Sequence, residues 1–395
     1  MGDLAFPHGQ VGAGPGSSRP GPLSGLGALD LTGRLGWLLG KILADLGADV
    51  AKLDPPGGDP GRSEPPLLRG PAGCAGAEWV AFNAGKRRLD LDLDLATAGG
   101  RAGFLELAAA ADFVFDTAEP GSLEELGIGW AQLSERNPAL VMTSITPYGQ
   151  DGPLAGVPAS DLELMAAGGA VWLTGDPDRA PVRVTLPQAG PWASAYAAVG
   201  TLIAHHHRRV TGRGQHVDTS AQSAVLPMLV HAPSFWELLG VNPMRAGAFL
   251  VGRNVHGAVM RNIWPCRDGY VTWAVYGGPA GRQSNRGLVA WMAERGAAPD
   301  FLLEMDWDRF DVATVTPGEV ERMEAAIAPF FLGVTRRDFL EQAHGRRLLG
   351  YVVATAAEIA ADPQLEARGV WRDVEVAEVG TAVRLPGGWY RVAEP

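Results

Sequence analysis

Short apolar runs alternate with longer segments of helical periodicity through the first half of the chain. "ALDLTG" (28–33) reads as a short strand, "WLLGKILADLG" (37–47) as a helix ending at Gly47, and "DVAKLD" (49–54) as a second strand, which together make a β-α-β unit. The pattern repeats in "RRLDLDL" (strand), "TAGGRAGFLELAAAA" (helix), "DFVFDT" (strand), a helix near "SLEELGIGWAQLSERN", and the strand "ALVMTSIT". A long alanine-rich helix follows, with Gly190 expected in the N-cap place and Pro191 as the first helical residue; it runs to the turn "TGRG" and is succeeded by the strand "QHVDTS" and the helix "AQSAVLPMLVHAPSFWELLG". Strands alternating with helices of this length predict an α/β fold with a doubly wound parallel sheet and right-handed crossovers. From about Asn242 the texture changes to aromatic strands such as "GYVTWAVY" and short helices such as "RGLVAWMAERG", which predict a smaller α+β domain, and the tail "GTAVRLPGGWYRV" reads as a terminal strand pair. The expected division is a loose arm over 1–24, a large Rossmann-like domain over 25–225, a linker over 226–245, the small domain over 246–340, and a return segment over 341–395 that packs on the large domain.

With 395 residues the chain has room for two cores, and its two cysteines, Cys74 and Cys266, have no CxxC or Cys/His spacing, so neither a disulfide framework nor a structural metal is expected. A net charge of −11 supplies no basic footprint for nucleic acid or an anionic membrane surface. The Gly/Pro/Ser-rich opening lacks the charged start and apolar core of a signal peptide, and no apolar run reaches the length of a membrane span, so a cytoplasmic protein is expected.

Local motifs carry little chemistry by themselves. "LTGRLGW" places two glycines after the first strand but lacks the full dinucleotide fingerprint, so a tight turn is the simpler reading. The three histidines of "HHHRR" (205–209) point in different directions from a helix and cannot share one ion; a solvated helix end that offsets the dipole is expected. In "GKRRLDLDLD", Lys86, Arg87 and Arg88 adjoin alternating Asp90, Asp92 and Asp94, which reads as a charged strand face or as a basic lip for a phosphorylated ligand. Neither a GxSxG elbow nor an HExxH pair occurs.

Six stretches taken in order resemble the family III CoA-transferases, the CaiB/BaiF group: "LADLGADVAKLDPPGGDPGR", "FNAGKRRLDLDL", "PGSLEELGIGW", "NPALVMTSITPYGQDGP", "TGRGQHVDTS" and "DPQLEARGVW". The resemblance runs from about Leu29 onward. It implies a Rossmann-like large domain, a smaller domain reached by long linkers, and two chains threaded through one another as linked rings, an obligatory dimer. It also implies coenzyme A thioesters and carboxylic acids as substrates, with an aspartate nucleophile whose carboxylate attacks the acyl-CoA thioester.

The family pattern breaks at that nucleophile. Aligning "PVRVTLPQAGPWASAYAAVGTL" through Val182, Pro187, Tyr196 and Gly200 puts the family's aspartate at Gly190, and Gln188, Ala189, Pro191 and Trp192 supply no carboxylate either. Thr117, Ala118 and Glu119 stand at family CoA-binding positions, and Glu125 stands where some members carry a base, so two carboxylates would repel a nucleotide phosphate. Ser160 precedes Asp161 where the racemase branch carries its histidine, which argues against racemase chemistry. The resemblance therefore implies a non-nucleophilic subunit, paired with a paralogous catalytic subunit, and most like the two-subunit members that take aryl-substituted succinates with succinyl-CoA as donor. Two alternatives stay open: an active homodimer with a displaced carboxylate, for which Asp161 and Glu163 are the nearest candidates, and a binding or regulatory paralogue without chemistry. Asp161 has a plain reading as the cap of the helix "LELMAAGGA". Gly190 could also leave space for a substrate carboxylate at a helix N-terminus. Lys86, Arg87, Tyr148 and Gly149 occupy family positions expected to line a ligand cleft; no metal ligand is expected.

Overall fold

A computed structural model of the protein describes residues 21–89 and 94–387. The expected arm through residue 20, Asp90 and Asp92, and the last eight residues of the expected tail lie outside the described residues.

The chain divides into two compact units. The first holds the described residues up to Trp172, then Arg183–Pro243, and the chain from Pro363; the second holds Leu173–Val182 and Met244–Asp362.

The first unit is built in the order β1 (Gly27–Asp30), α1 (Trp37–Asp45), β2 (Asp49–Lys52), the hairpin β3 (Leu67–Gly70) and β4 (Gly73–Gly76), α2 (Ala77–Asn83), β5 (Arg87–Arg88), α3 (Ala98–Ala110), β6 (Phe113–Asp116), α4 (Ser122–Glu125), α5 (Trp130–Arg136), β7 (Val141–Thr146), α6 (Asp161–Ala167), α7 (Ala189–Thr211), β8 (His216–Ser220) and α8 (Ala221–Val225). Six strands form one parallel sheet in the order β5-β2-β1-β6-β7-β8. With the β3–β4 hairpin set aside, that is the doubly wound order in which the third, second and first strands are followed by the fourth, fifth and sixth, so the strand order reverses between β1 and β6.

β1, β6 and β7 are buried at every residue, as a sheet covered on both faces requires. On one face Phe113, Phe115, Val141 and Ile145 pack with Leu39 and Leu43 of α1 and Ala193 and Ala197 of α7. On the other, Leu29, Val114 and Met142 pack with Phe104 and Leu107 of α3 and Leu133 of α5. Arg208, near the end of α7, is buried, pairs with Asp112 at 3.2 Å and lies over the Phe113 ring, while His205 also rests against that ring. Arg208 and His205 therefore staple α7 to the amino-terminal edge of β6, while His206, His207 and Arg209 are exposed, as expected of a solvated helix end.

Residues 226–245, expected as a linker, carry a single 3₁₀ turn at Leu226–Leu229 and the helix α9 (His231–Leu239). In the second unit β9 (Phe249–Leu250) pairs with β10 (Met260–Arg261), and β11 (Ile263–Cys266), β12 (Gly269–Trp273) and β13 (Gly350–Val352) form an antiparallel sheet. Trp264, Trp273, Trp291, Phe331 and Phe339 fill its core between that sheet and the helices α10 (Gly278–Glu294), α12 (Pro317–Gly333) and α13 (Arg336–Arg346), with α11 (Asp300–Leu303) between the first two. Residues 341–362, assigned from the sequence to the return segment, belong to this unit, because β13 completes the sheet by pairing with β12.

The short helices α14 (Ala356–Ala360) and α15 (Pro363–Ala367) precede a hairpin of β14 (Trp371–Val376) and β15 (Thr381–Pro386). Its residues Val376 and Val379 pack in the first unit with Trp37, Trp79 and Val80.

Candidate functional site

The start of α7 is organised by a carboxylate from another helix. α6 is closed by a capping box: Ser160 Oγ accepts the Glu163 N–H, and Glu163 Oε2 accepts the Ser160 N–H at 2.6 Å. Those bonds hold the exposed Glu163 carboxyl below its ordinary range. Because Ser160 does the capping, Asp161 is released to point elsewhere. Its Oδ1 accepts the backbone N–H of Gln188 at 2.7 Å and of Ala189 at 2.8 Å. The helix consequently begins at Ala189 with Gln188 as its cap residue, earlier than the Gly190 cap and Pro191 start expected from the sequence.

Gly190 is thus the second residue of α7, packed against the loop after β1. A Cβ built on it would lie 3.3 Å from the carbonyl oxygens of Arg34 and Leu35 and 3.4 Å from Leu35 Cα. Ser194, one turn on, donates to the Leu35 carbonyl at 3.2 Å and fixes that approach. Pro191 has no N–H, and the Trp192 N–H is bonded to the Gln188 carbonyl at 3.0 Å. Asp161 thus takes the N–H groups of Gln188 and Ala189, and a carboxylate of this chain stands at the start of α7 just ahead of Gly190.

The β1–α1 loop that walls Gly190 also meets the carboxyl end of β6. Thr32 Oγ1 donates to Asp30 Oδ1 at 2.6 Å, and Thr117 Oγ1 accepts the Gly33 N–H at 2.8 Å. Gly36 sits in a close approach: a Cβ there would come within 2.9 Å of both Thr32 and Thr117 methyls. This junction lies at the reversal of strand order, where open α/β sheets place their ligands.

The residues singled out from the sequence are dispersed. Lys86 is not a cleft lip: its side chain is buried, pairs with Asp30 Oδ2 at 2.7 Å, and donates to the Trp37 carbonyl and Asn83 Oδ1. All three ammonium protons are satisfied internally, and burial brings its pKa down to about 8 against the pull of Asp30. Arg87 is exposed and pairs with Asp49 at 3.1 Å, and Arg88 pairs with Glu378 at 3.5 Å. Tyr148 packs against the α7-side core. Gly149 has a φ of +104° and donates to Thr146 Oγ1, and its α-carbon faces Asp218, at the β8 end of the sheet. Lys86, beside β1, and Gly149, beside β8, are three strand positions apart, about 14 Å at ordinary strand spacing, and do not converge.

A cluster unmarked in the sequence reading lies on the α5 face of the sheet. Ser144 Oγ is 2.6 Å from Asp116 Oδ2 and 2.9 Å from His216 Nε2, and the Trp130 ring stacks on His216 at 5.8 Å between centroids. Burial pushes the Asp116 carboxyl up to about 6, opposed by its bonds to Ser144 and the Ala118 N–H. Burial also lowers the His216 pKa. The signal available was a polar side chain on the same face of three neighbouring strands, Asp116 in "FVFD", Ser144 in "VMTSIT" and His216 in "QHVDT". No group of His, Cys, Asp and Glu suited to a metal ion occurs among the described residues.

Comparison with known proteins places this geometry. The family model of CoA-transferase family III matches residues 23–394. The chain is 34% identical over 374 residues to the succinyl-CoA:(R)-benzylsuccinate CoA-transferase subunit BbsE of Thauera aromatica, covering 93% of this chain and 87% of that one. It is 29% identical over 381 residues to the succinyl-CoA:mesaconate CoA-transferase of Haloarcula hispanica, covering 95% and 91%. Among solved structures, a CaiB/BaiF family protein from Brucella suis superposes with a TM-score of 0.79 at 26% identity, over 95% of this chain and 94% of that one. On a match that spans nearly its whole length, the chain belongs to CoA-transferase family III.

Proposed function

We propose that this chain is the non-nucleophilic subunit of a heteromeric CoA-transferase, working beside a paralogous subunit that carries the aspartate. The observation that carries this reading is Gly190: the position aligned with the family nucleophile has no side chain and its Cβ site is hemmed by the carbonyls of Arg34 and Leu35. The displaced-carboxylate alternative is weakened by Asp161, whose Oδ1 is committed to the N–H groups of Gln188 and Ala189.

A partner chain also explains an apolar stripe. Tyr196, Val199, Ile203 and Val210 fall on one face of α7, and the last three are 54%, 64% and 75% exposed. α9 has no buried residue, and its Trp236, Leu238 and Leu239 are exposed. Exposed apolar helix faces of this kind are what an obligate partner covers. The linked-ring arrangement of the family would bring a second chain against this unit.

In that complex the partner's aspartate attacks the acyl-CoA carbonyl, forming a mixed anhydride as CoA thiolate departs. The thiolate returns to the aspartyl carbonyl, releasing the donor acid and leaving an enzyme thioester, and the acceptor carboxylate reverses the exchange. This chain shapes the substrate pocket beside the partner's aspartate. The similarity to BbsE favours succinyl-CoA as donor and an aryl-substituted succinate as acceptor. Among the described residues no helix is long and apolar enough to cross a membrane, and we place the complex in the cytoplasm. Co-expression with a family III paralogue that retains the aspartate, followed by assay of succinyl-CoA turnover by each chain alone and together, tests the reading. Activity of the pair only is expected; full transferase activity of this chain alone would overturn it.

A further inference from the structure

We propose that Asp116, Ser144 and His216 form a proton relay that sets the conformation of the β6–α4 loop, residues 117–121, at the strand-order reversal. The three residues come from the adjacent parallel strands β6, β7 and β8 and face the same side of the sheet. Asp116 is the register partner of Ser144, and His216 lies one pleat back, opposite Met142, so Ser144 reaches both neighbours. Asp116 and Ser144 are each 2% exposed, whereas His216 is half-buried, so His216 is the member nearest solvent.

The relay connects to the loop through the other oxygen of the carboxylate. Asp116 Oδ1 accepts the Ala118 N–H at 3.1 Å, and the intervening Thr117 accepts the Gly33 N–H. Protonating Asp116 therefore weakens the bond that fixes the loop and, through Thr117, bears on the β1–α1 loop that walls Gly190. The charged groups facing Asp116 are Glu124 from α4 and Asp218 from β8, both acidic; His216 from β8 is the one base in contact through Ser144, and Trp130 of α5 covers its ring. A like-charged, buried surrounding makes proton uptake by this trio favourable at mildly acid pH.

The protons balance along the chain of three. With Asp116 ionised, the Ser144 hydroxyl donates to Oδ2 and His216 donates its Nε2 proton to Ser144 Oγ. When a proton arrives from solvent at Nδ1, the Nε2 proton passes to Ser144 as the Ser144 proton passes to Asp116. The end state has a neutral carboxylic acid, a Ser144 hydroxyl donating to Nε2, and the imidazole in its Nδ1–H tautomer. Asp116 is a positioning residue in this scheme, since it acts through the loop.

Nitrogen-15 spectroscopy of the His216 ring in the full chain, assigned with His216→Gln, tests the relay. The wild type at pH 7.5 is expected to show the Nε2–H tautomer. In Asp116→Asn the amide nitrogen must donate to Ser144, so the ring is expected in the Nδ1–H form at the same pH. Identical tautomers in the two proteins would overturn the proposal. If the variant does not fold, the wild type taken from pH 7.5 to 5 serves: the ring is expected to stay neutral and move its proton to Nδ1, with amide-exchange protection at Ala118 falling about tenfold after correction for intrinsic exchange. A ring that passes straight to imidazolium, or an Ala118 amide whose protection is unchanged, would overturn it.

Discussion

The Asp161 carboxylate caps the first turn of α7 by accepting the Ala189 N–H at 2.8 Å, one residue before Gly190. The start of α7 is held by a carboxylate that comes from α6. Asp161→Ala removes the acceptor of two backbone N–H groups, Gln188 and Ala189. We expect a loss of about 1–2 kcal/mol in denaturant unfolding, in the range of helix-cap deletions. Asp161→Asn, which keeps an oxygen acceptor, should recover most of it.

Restoring a carboxylate by Gly190→Asp pushes Cβ to 3.3 Å from two carbonyl oxygens, so the loop carrying Arg34 and Leu35 must give by a few tenths of an ångström. Expected is a destabilisation of about 1 kcal/mol and no transferase activity by this chain alone. Thermal unfolding and a succinyl-CoA turnover assay check both parts; a self-sufficient enzyme would mean that the CoA site is intact and only the nucleophile is missing.

Asp116 fixes the sign of one pH effect. Its pKa is raised from 3.8 to about 6 in the folded state, so the folded protein binds the proton more tightly than the unfolded chain. The corresponding stability is present in full below 3.8 and is lost as pH rises through 6. The window spans about two units, at most about 3 kcal/mol. The stability of wild type minus that of Asp116→Asn should therefore fall between pH 4 and 6.5 and stay flat above. Urea midpoints at intervals of pH measure the difference; a flat difference across the window would contradict a buried carboxylate.

The α7 stripe is open to a direct assay. Val199→Glu with Ile203→Glu places two charges on residues that are 54% and 64% exposed. The fold of the chain should change by no more than about 0.5 kcal/mol. Association with a partner chain should weaken by tenfold or more, about 1.4 kcal/mol, because the charges would be buried in the interface. Sedimentation of the co-expressed pair gives the result.

The α/β architecture was legible because the central parallel strands are covered on both faces and so read as largely apolar runs: "GALD" and "FVFD" are buried throughout. The start of α7 was not. Its capping group comes from Asp161, far upstream, whereas sequence rules look for a cap in the neighbouring residues. Lys86 was misplaced for the same reason. In the chain it stands among basic residues that reach solvent, and its partner Asp30 ends β1, which β2 separates from β5 in the sheet, so only the fold brings the two side chains together. That Gly190 packs against the carbonyls of Arg34 and Leu35 needed coordinates, because those residues precede it by most of the first unit. Asp116, Ser144 and His216 lie far apart in the chain, and only the parallel register brings them into one chain of hydrogen bonds.

The measurement closest to the central claim is hydroxylamine trapping of the assembled pair during turnover with succinyl-CoA, followed by mass spectrometry of both chains. The account predicts an aspartyl hydroxamate on the partner subunit and no modified carboxylate on this chain, Asp161 included. A hydroxamate on any carboxylate of this chain would contradict it.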